Sequence, residues 1–138
     1  MPERIYRLAV DVTLKAIAGK WKTSILCNLG NKPMRTGELK RQLPGISQRI
    51  LTKQLNELEQ EKIIKKKIYP EVPPKVEYCL TDNGRALREV LLVMSKWGMQ
   101  QTNLQNNDGH HYKILDKNLY GFTNMNNKDA ERRQIDNL

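Results

Sequence analysis

The sequence predicts an α+β fold, mostly helical, closed by one long C-terminal helix. Apolar residues recur every three or four positions through most of residues 10–61 and 87–97, which is the helical period. Two short runs alternate instead with a period near two on either side of a proline-rich centre, the pattern of a hairpin. A chain of 138 residues can bury one modest core and is too short for two ordinary domains.

Taken in order, Val10, Leu14 and Ile17 lie on one helical stripe that Gly19 stops. A second helix is expected over 20–29, with Trp21, Ile25, Leu26 and Leu29 facing inward and Cys27 pointing off that stripe. After the turn Gly30-Asn31-Lys32-Pro33 and the short segment Met34-Arg35, Thr36 is suited to cap a third helix through Leu43, which Pro44-Gly45 ends. Ser47 caps a fourth helix to about Glu61, with Leu51, Leu55 and Leu58 as its buried face. The runs 64–69 and 75–80 form the hairpin, since Pro70-Glu71-Val72-Pro73-Pro74 cannot continue a ladder. Thr81 caps the long helix from Asp82 to about Asn103, whose Leu87, Val90, Leu91, Leu92, Val93, Met94 and Trp97 cover more than one face. A helix apolar on two sides needs two neighbours, and a second copy of this chain is the expected one. Residues 1–104 are thus read as the folded unit and 105–138 as an Asn-rich extension, with a short helix near Tyr112 to Tyr120.

The formal charge is +9, from 24 Lys and Arg against 15 Asp and Glu. Residues 105–138 contribute none of it, because their five bases (Lys113, Lys117, Lys128, Arg132, Arg133) match five acids (Asp108, Asp116, Asp129, Glu131, Asp136). The whole excess lies in 1–104, which suits a polyanionic partner.

Helix, tight turn, helix, then hairpin is the order of a winged helix-turn-helix, in which the helix after the turn enters the major groove of DNA. Opposite its leucines that helix carries Arg49, Thr52, Lys53 and Asn56, with Ser47 and Gln48 at the first turn. Arg suits guanine, Gln or Asn suits adenine, and a Thr methyl suits thymine. Arg49 and Lys53 come early and Glu57, Glu59 and Glu61 late, against the helix dipole, and an anionic partner would explain that order. Lys65, Lys67 and Lys75 project from the hairpin's outer face, where a wing would reach phosphates or a minor groove, although lysines also protect an edge strand from aggregation.

The stretches Gly19-Lys20-Trp21-Lys22, Leu43-Pro44-Gly45-Ile46-Ser47-Gln48, Leu51 to Glu59, Tyr69 to Tyr78 (YPEVPPKVEY) and Leu80 to Leu87 resemble the HxlR family of MarR-like winged-helix regulators over residues 8–100. That resemblance implies a homodimer built through the first and last helices, with Leu14, Val90, Val93, Met94 and Trp97 as dimerisation residues, binding a partly palindromic operator as repressor or activator. Several such proteins sense oxidants through a Cys in a pattern like Cys-Pro-Val-Glu before the first helix. The matching positions here read Leu8-Ala9-Val10-Asp11, leaving Cys27 as the candidate redox thiol and Cys79 behind it. A small-molecule or oxidant effector is the expected regulator.

Neither Cys belongs to a CxxC pair, and His110-His111 has no Cys or carboxylate partners at ligand spacing, so no metal and no cofactor are expected. No GxSxG, HExxH, phosphate-loop or dinucleotide fingerprint occurs, which disfavours an enzyme. No apolar run approaches the roughly 18 residues of a membrane span, and the first residues lack a signal peptide's apolar stretch, so a cytoplasmic protein is expected. The alternatives are a winged-helix module that binds a protein, which the Lys-rich surface disfavours, and an RNA-binding module, which would need interleaved aromatics.

Overall fold

In the computed structural model, residues 2–115 are described, and they fold as α1 (Ala9–Ala16), α2 (Lys22–Leu29), α3 (Thr36–Gln42), α4 (Gln48–Gln60), β1 (Ile64–Tyr69), β2 (Lys75–Leu80) and α5 (Asp82–Asn107). Ile25, Leu26 and Leu29 of α2, Leu39 of α3, Leu51, Leu55 and Leu58 of α4, Ile64 and Leu80 of the hairpin, and Leu91 and Leu92 of α5 form one buried core. This is the winged helix-turn-helix that the element order predicted.

Local chemistry sets the joints. Gly19 and Gly45 hold positive φ (116° and 93°), a region that glycine adopts without a steric penalty, and each sits where the chain turns between helices. Leu43 and Ile46 flank Pro44-Gly45 and are buried, so the turn between α3 and α4 is pinned to the core from both ends. The Ser47 hydroxyl accepts from the backbone N–H of Ile50 at 3.1 Å and starts α4. The Thr81 hydroxyl accepts from the Gly84 N–H at 3.0 Å and donates to the Lys62 carbonyl at 2.6 Å, tying the start of α5 to the end of α4. Gly84 is packed so closely that a Cβ there would lie 2.1 Å from the Ile63 carbonyl oxygen.

The antiparallel register pairs Ile64 with Leu80 and Tyr69 with Lys75, placing Lys65, Lys67 and Tyr69 on one face of the hairpin with Cys79, Glu77 and Lys75. The opposite face carries Ile64, Lys66, Ile68, Val76, Tyr78 and Leu80 and turns toward the core and α4. Met34 adds a third, single-bridge rung by exchanging backbone hydrogen bonds with Tyr78 (3.0 and 2.8 Å).

Several expectations need correction. Thr36 is the first residue of α3 and Arg35 the cap, with the Glu38 carboxylate accepting from the Arg35 N–H at 3.4 Å, so an acid three positions inside, and not the Thr hydroxyl, supplies the side-chain bond at this helix start. The second helix begins at Lys22 instead of Lys20. The last helix continues past Asn103 to Asn107, and the Asn106 side chain then bonds the backbone of Tyr112 on both its donor and acceptor sides. Residues 112–115 are not helical, and the rest of the short helix expected to Tyr120 lies outside the described residues. Cys27, expected to point off the apolar stripe, is half-buried and packs against the core. No described helix is long and apolar enough to cross a membrane.

Candidate nucleic-acid interface

Burial of Leu51, Leu55 and Leu58 fixes the rotation of α4 and turns its other side outward. Gln48, Arg49, Thr52, Lys53 and Asn56 are all exposed there, in one row at i, i+3, i+4 and i+7 from Arg49. The Gln48 amide donates to the Thr52 hydroxyl at 3.3 Å, so two of these side chains already orient one another. Ser47 stands at the head of the row with its hydroxyl oxygen engaged as the cap, which leaves its O–H free to turn outward.

The charge order along α4 has an internal explanation in its second half. Lys22, 7 % exposed, reaches from α2 to the Glu57 carboxylate at 2.6 Å, and Lys66 of β1 lies 3.8 Å from Glu59. The Lys22 ammonium donates to Glu57 and, with the charges of Lys53 and Lys15, holds that carboxyl below its ordinary pKa of 4.5. Glu57 and Glu59 therefore serve the fold. The early bases do not. Arg49 forms no ion pair among the described residues, and Lys53 stands one turn from Glu57 with its side chain in solvent.

On the hairpin, the Tyr69 ring lies under two ammonium groups, Lys75 at 4.8 Å and Lys67 at 5.3 Å from its centroid. Glu77 is held below the ordinary carboxylate range by a hydrogen bond from Tyr69 and by Lys75, 3.5 Å away. Tyr69 and Glu77 thus preset Lys67 and Lys75 near the tip, while Lys65 sits at the base of the same face opposite Cys79. Lys66, on the other face, is spent on Glu59.

Residues 16–106 match the model of the HxlR-like helix-turn-helix family. The chain belongs to the HxlR family. Its relatives include the HTH-type transcriptional regulator YtcD of Bacillus subtilis, 46 % identical over 103 residues that cover 75 % of this chain and 82 % of that one. Among solved structures, a MarR-family transcriptional regulator from Enterococcus faecalis V583 is 37 % identical, covers 72 % of this chain and 90 % of its own, and superposes with a TM-score of 0.68. The redox regulator HypR in its reduced form is 41 % identical over 71 % of this chain and 97 % of its own, with a TM-score of 0.66. This HxlR-family protein is accordingly a DNA-binding transcriptional regulator of the helix-turn-helix type.

Two functional features escaped the sequence reading. Lys22, which fixes the second half of α4, is indistinguishable in sequence from any solvated lysine of a basic segment. The other is how far the expected apolar row of α5 runs: Val93 and Trp97 are each 65 % exposed, and Val90 and Met94 lie beside them, while Leu91 and Leu92 of the same helix are buried. The expectation of two apolar faces anticipated this row, but its extension to Leu104, 61 % exposed, was missed because the Gln- and Asn-rich stretch between shows no helical periodicity. The exposed Leu14 and the neighbouring Val10 and Val12 give α1 a comparable apolar surface, and α1 buries none of its residues.

Proposed function

We propose that this regulator binds a partly palindromic operator as a homodimer, with α4 of each protomer in the major groove and the hairpin as a wing on the flanking backbone. The observation that carries this reading is the outward row on α4: five exposed side chains able to pair with base edges, carried on a helix whose leucines are fully buried. Gln48, Arg49, Thr52, Lys53 and Asn56 read bases, with Ser47 at the first turn. Lys67 and Lys75 at the wing, with Lys65 behind them, neutralise phosphates. The exposed rows of α1 and α5, through Leu14, Val90, Val93, Met94 and Trp97, cover each other in the dimer, and twofold symmetry of the protein then requires a twofold-related site.

Filter binding of a 30-base-pair random duplex at low salt tests the interface. Wild type should retain the duplex, and Lys67→Gln, Lys75→Gln should flatten the slope of log affinity against log salt by about one unit per lost phosphate contact. Failure of the wild type to retain any duplex would favour a protein partner for this surface.

A further inference from the structure

The face of the hairpin turned away from α4 closes a cleft of about 580 Å³ against the loop that joins α2 to α3 and the first turn of α5. Its cationic walls are Lys32 of the loop, Lys65 and Lys67 of β1, and Arg85 of α5, while Lys66 borders it with an ammonium turned to Glu59, and no carboxylate lines it. Two carboxylates approach these cations from outside. Glu38 stands 3.8 Å from Lys32, and Asp82 holds Arg85, but Lys32 and both members of the second pair are solvent-exposed and such pairs offset little of the local charge. Leu29, Pro33 and Leu80 also border it, with the half-buried Cys79 beside them.

We propose that this cleft binds a small organic polyanion, carrying phosphate or several carboxylates, as an effector of the regulator. The cleft shares Lys65 and Lys67 with the wing face, and two features separate it from a DNA contact. It is an open cleft lined by apolar as well as cationic residues, with a volume in the range of metabolite-sized sites, whereas a duplex backbone is a convex, fully solvated edge. It also gathers groups from three elements, the α2–α3 loop, β1 and α5. An anion held there by Lys32, Lys65 and Arg85 ties the loop before α3, the base of the wing and the start of α5 into one unit, and so sets the wing relative to the helix-turn-helix. The proposal does not depend on the DNA reading, because binding is measured on the protein alone.

Isothermal titration with pyrophosphate and with citrate tests it, the two arms separating a phosphoryl from a carboxylate ligand. At least one should bind the full chain with one site per protomer. Lys32→Gln, Arg85→Gln should weaken that binding about tenfold or more, and the charge-matched Arg4→Gln, Arg7→Gln variant should not. In a Cys27→Ser background the bound anion should slow alkylation of Cys79 by uncharged iodoacetamide several-fold, which places it in this cleft. The Lys32, Arg85 variant should bind random duplex as well as the charge-matched control does. Absence of binding in both arms, equal binding by both variants, or unchanged Cys79 alkylation at saturation would overturn the proposal. A selective loss of duplex affinity in the Lys32, Arg85 variant would also overturn it and assign the cleft to DNA phosphates.

Discussion

Helices α4 and α5 are built on one plan and present opposite surfaces. Each buries a leucine row, Leu51, Leu55 and Leu58 on α4 and Leu91 and Leu92 on α5, and those rows meet in one core. Beyond the core they diverge: α4 shows solvent a row of amides, a hydroxyl and two cations, while α5 shows it Val90, Val93, Met94 and Trp97. The inner faces determine how the chain folds, and the outer faces determine what it meets. A polar, cationic face is at ease in water and gains by meeting an anion. A contiguous apolar face of this size is the mark of a surface that another protein surface covers.

Substitutions on the two sides should therefore separate cleanly, and the largest effect belongs to the shared inner side. Leu55→Ala removes a fully buried side chain and should cost about 2–5 kcal/mol of stability by urea denaturation, with DNA binding and self-association failing together. Next, Val93→Asp or Trp97→Glu should leave helix content near wild type and weaken self-association about a hundredfold or more in sedimentation. A wild-type protein that sediments as a folded monomer at micromolar concentration would remove the contrast between the helices. Arg49→Ala should leave folding and self-association intact and cost about 1–3 kcal/mol of operator affinity.

The smallest effect concerns the joint between α2 and α4. Lys22 lowers the pKa of Glu57 in the folded protein, so the stabilisation from this pair is complete above the unfolded carboxyl's 4.5 and is lost as pH falls through the lower folded value. Glu57→Gln should flatten the dependence of Tm on pH in the acid range below about 5 and change little near neutrality beyond a uniform offset. Parallel Tm curves for the two proteins would show that the pair makes no contribution to acid sensitivity.

The order of elements and the two strands were legible because each rests on a local signal. Leucine spacing marks α4, alternation marks β1 and β2, and Pro44-Gly45 and the proline-rich tip mark the turns. The exposed row on α4 was legible for the same reason, since fixing three buried leucines fixes what faces away from them. What could not be read depends on contacts between elements distant in sequence. Lys22 is buried only because α4 brings Glu57 to it, and Arg88 of α5 is 4 % exposed because it runs under Gly30, where a Cβ would come within 2.6 Å of its Nε. The strand pattern grouped Lys65 and Lys67 on one face, but it is the packing of Ile64, Tyr78 and Leu80 that decides which face turns from α4 and which cations line the cleft. The end of α5 was misplaced by a chain whose Gln- and Asn-rich turns carry no apolar stripe to follow.

The reading of bases by the outer face of α4 is tested most directly by selecting bound duplexes from a random pool with wild-type protein and with Arg49→Ala in parallel. Wild type should enrich a site whose two halves are related by a twofold axis, and Arg49→Ala should enrich the same site with the preference at one position of each half relaxed. No enrichment by the wild type, or identical sites and preferences from both proteins, would contradict it.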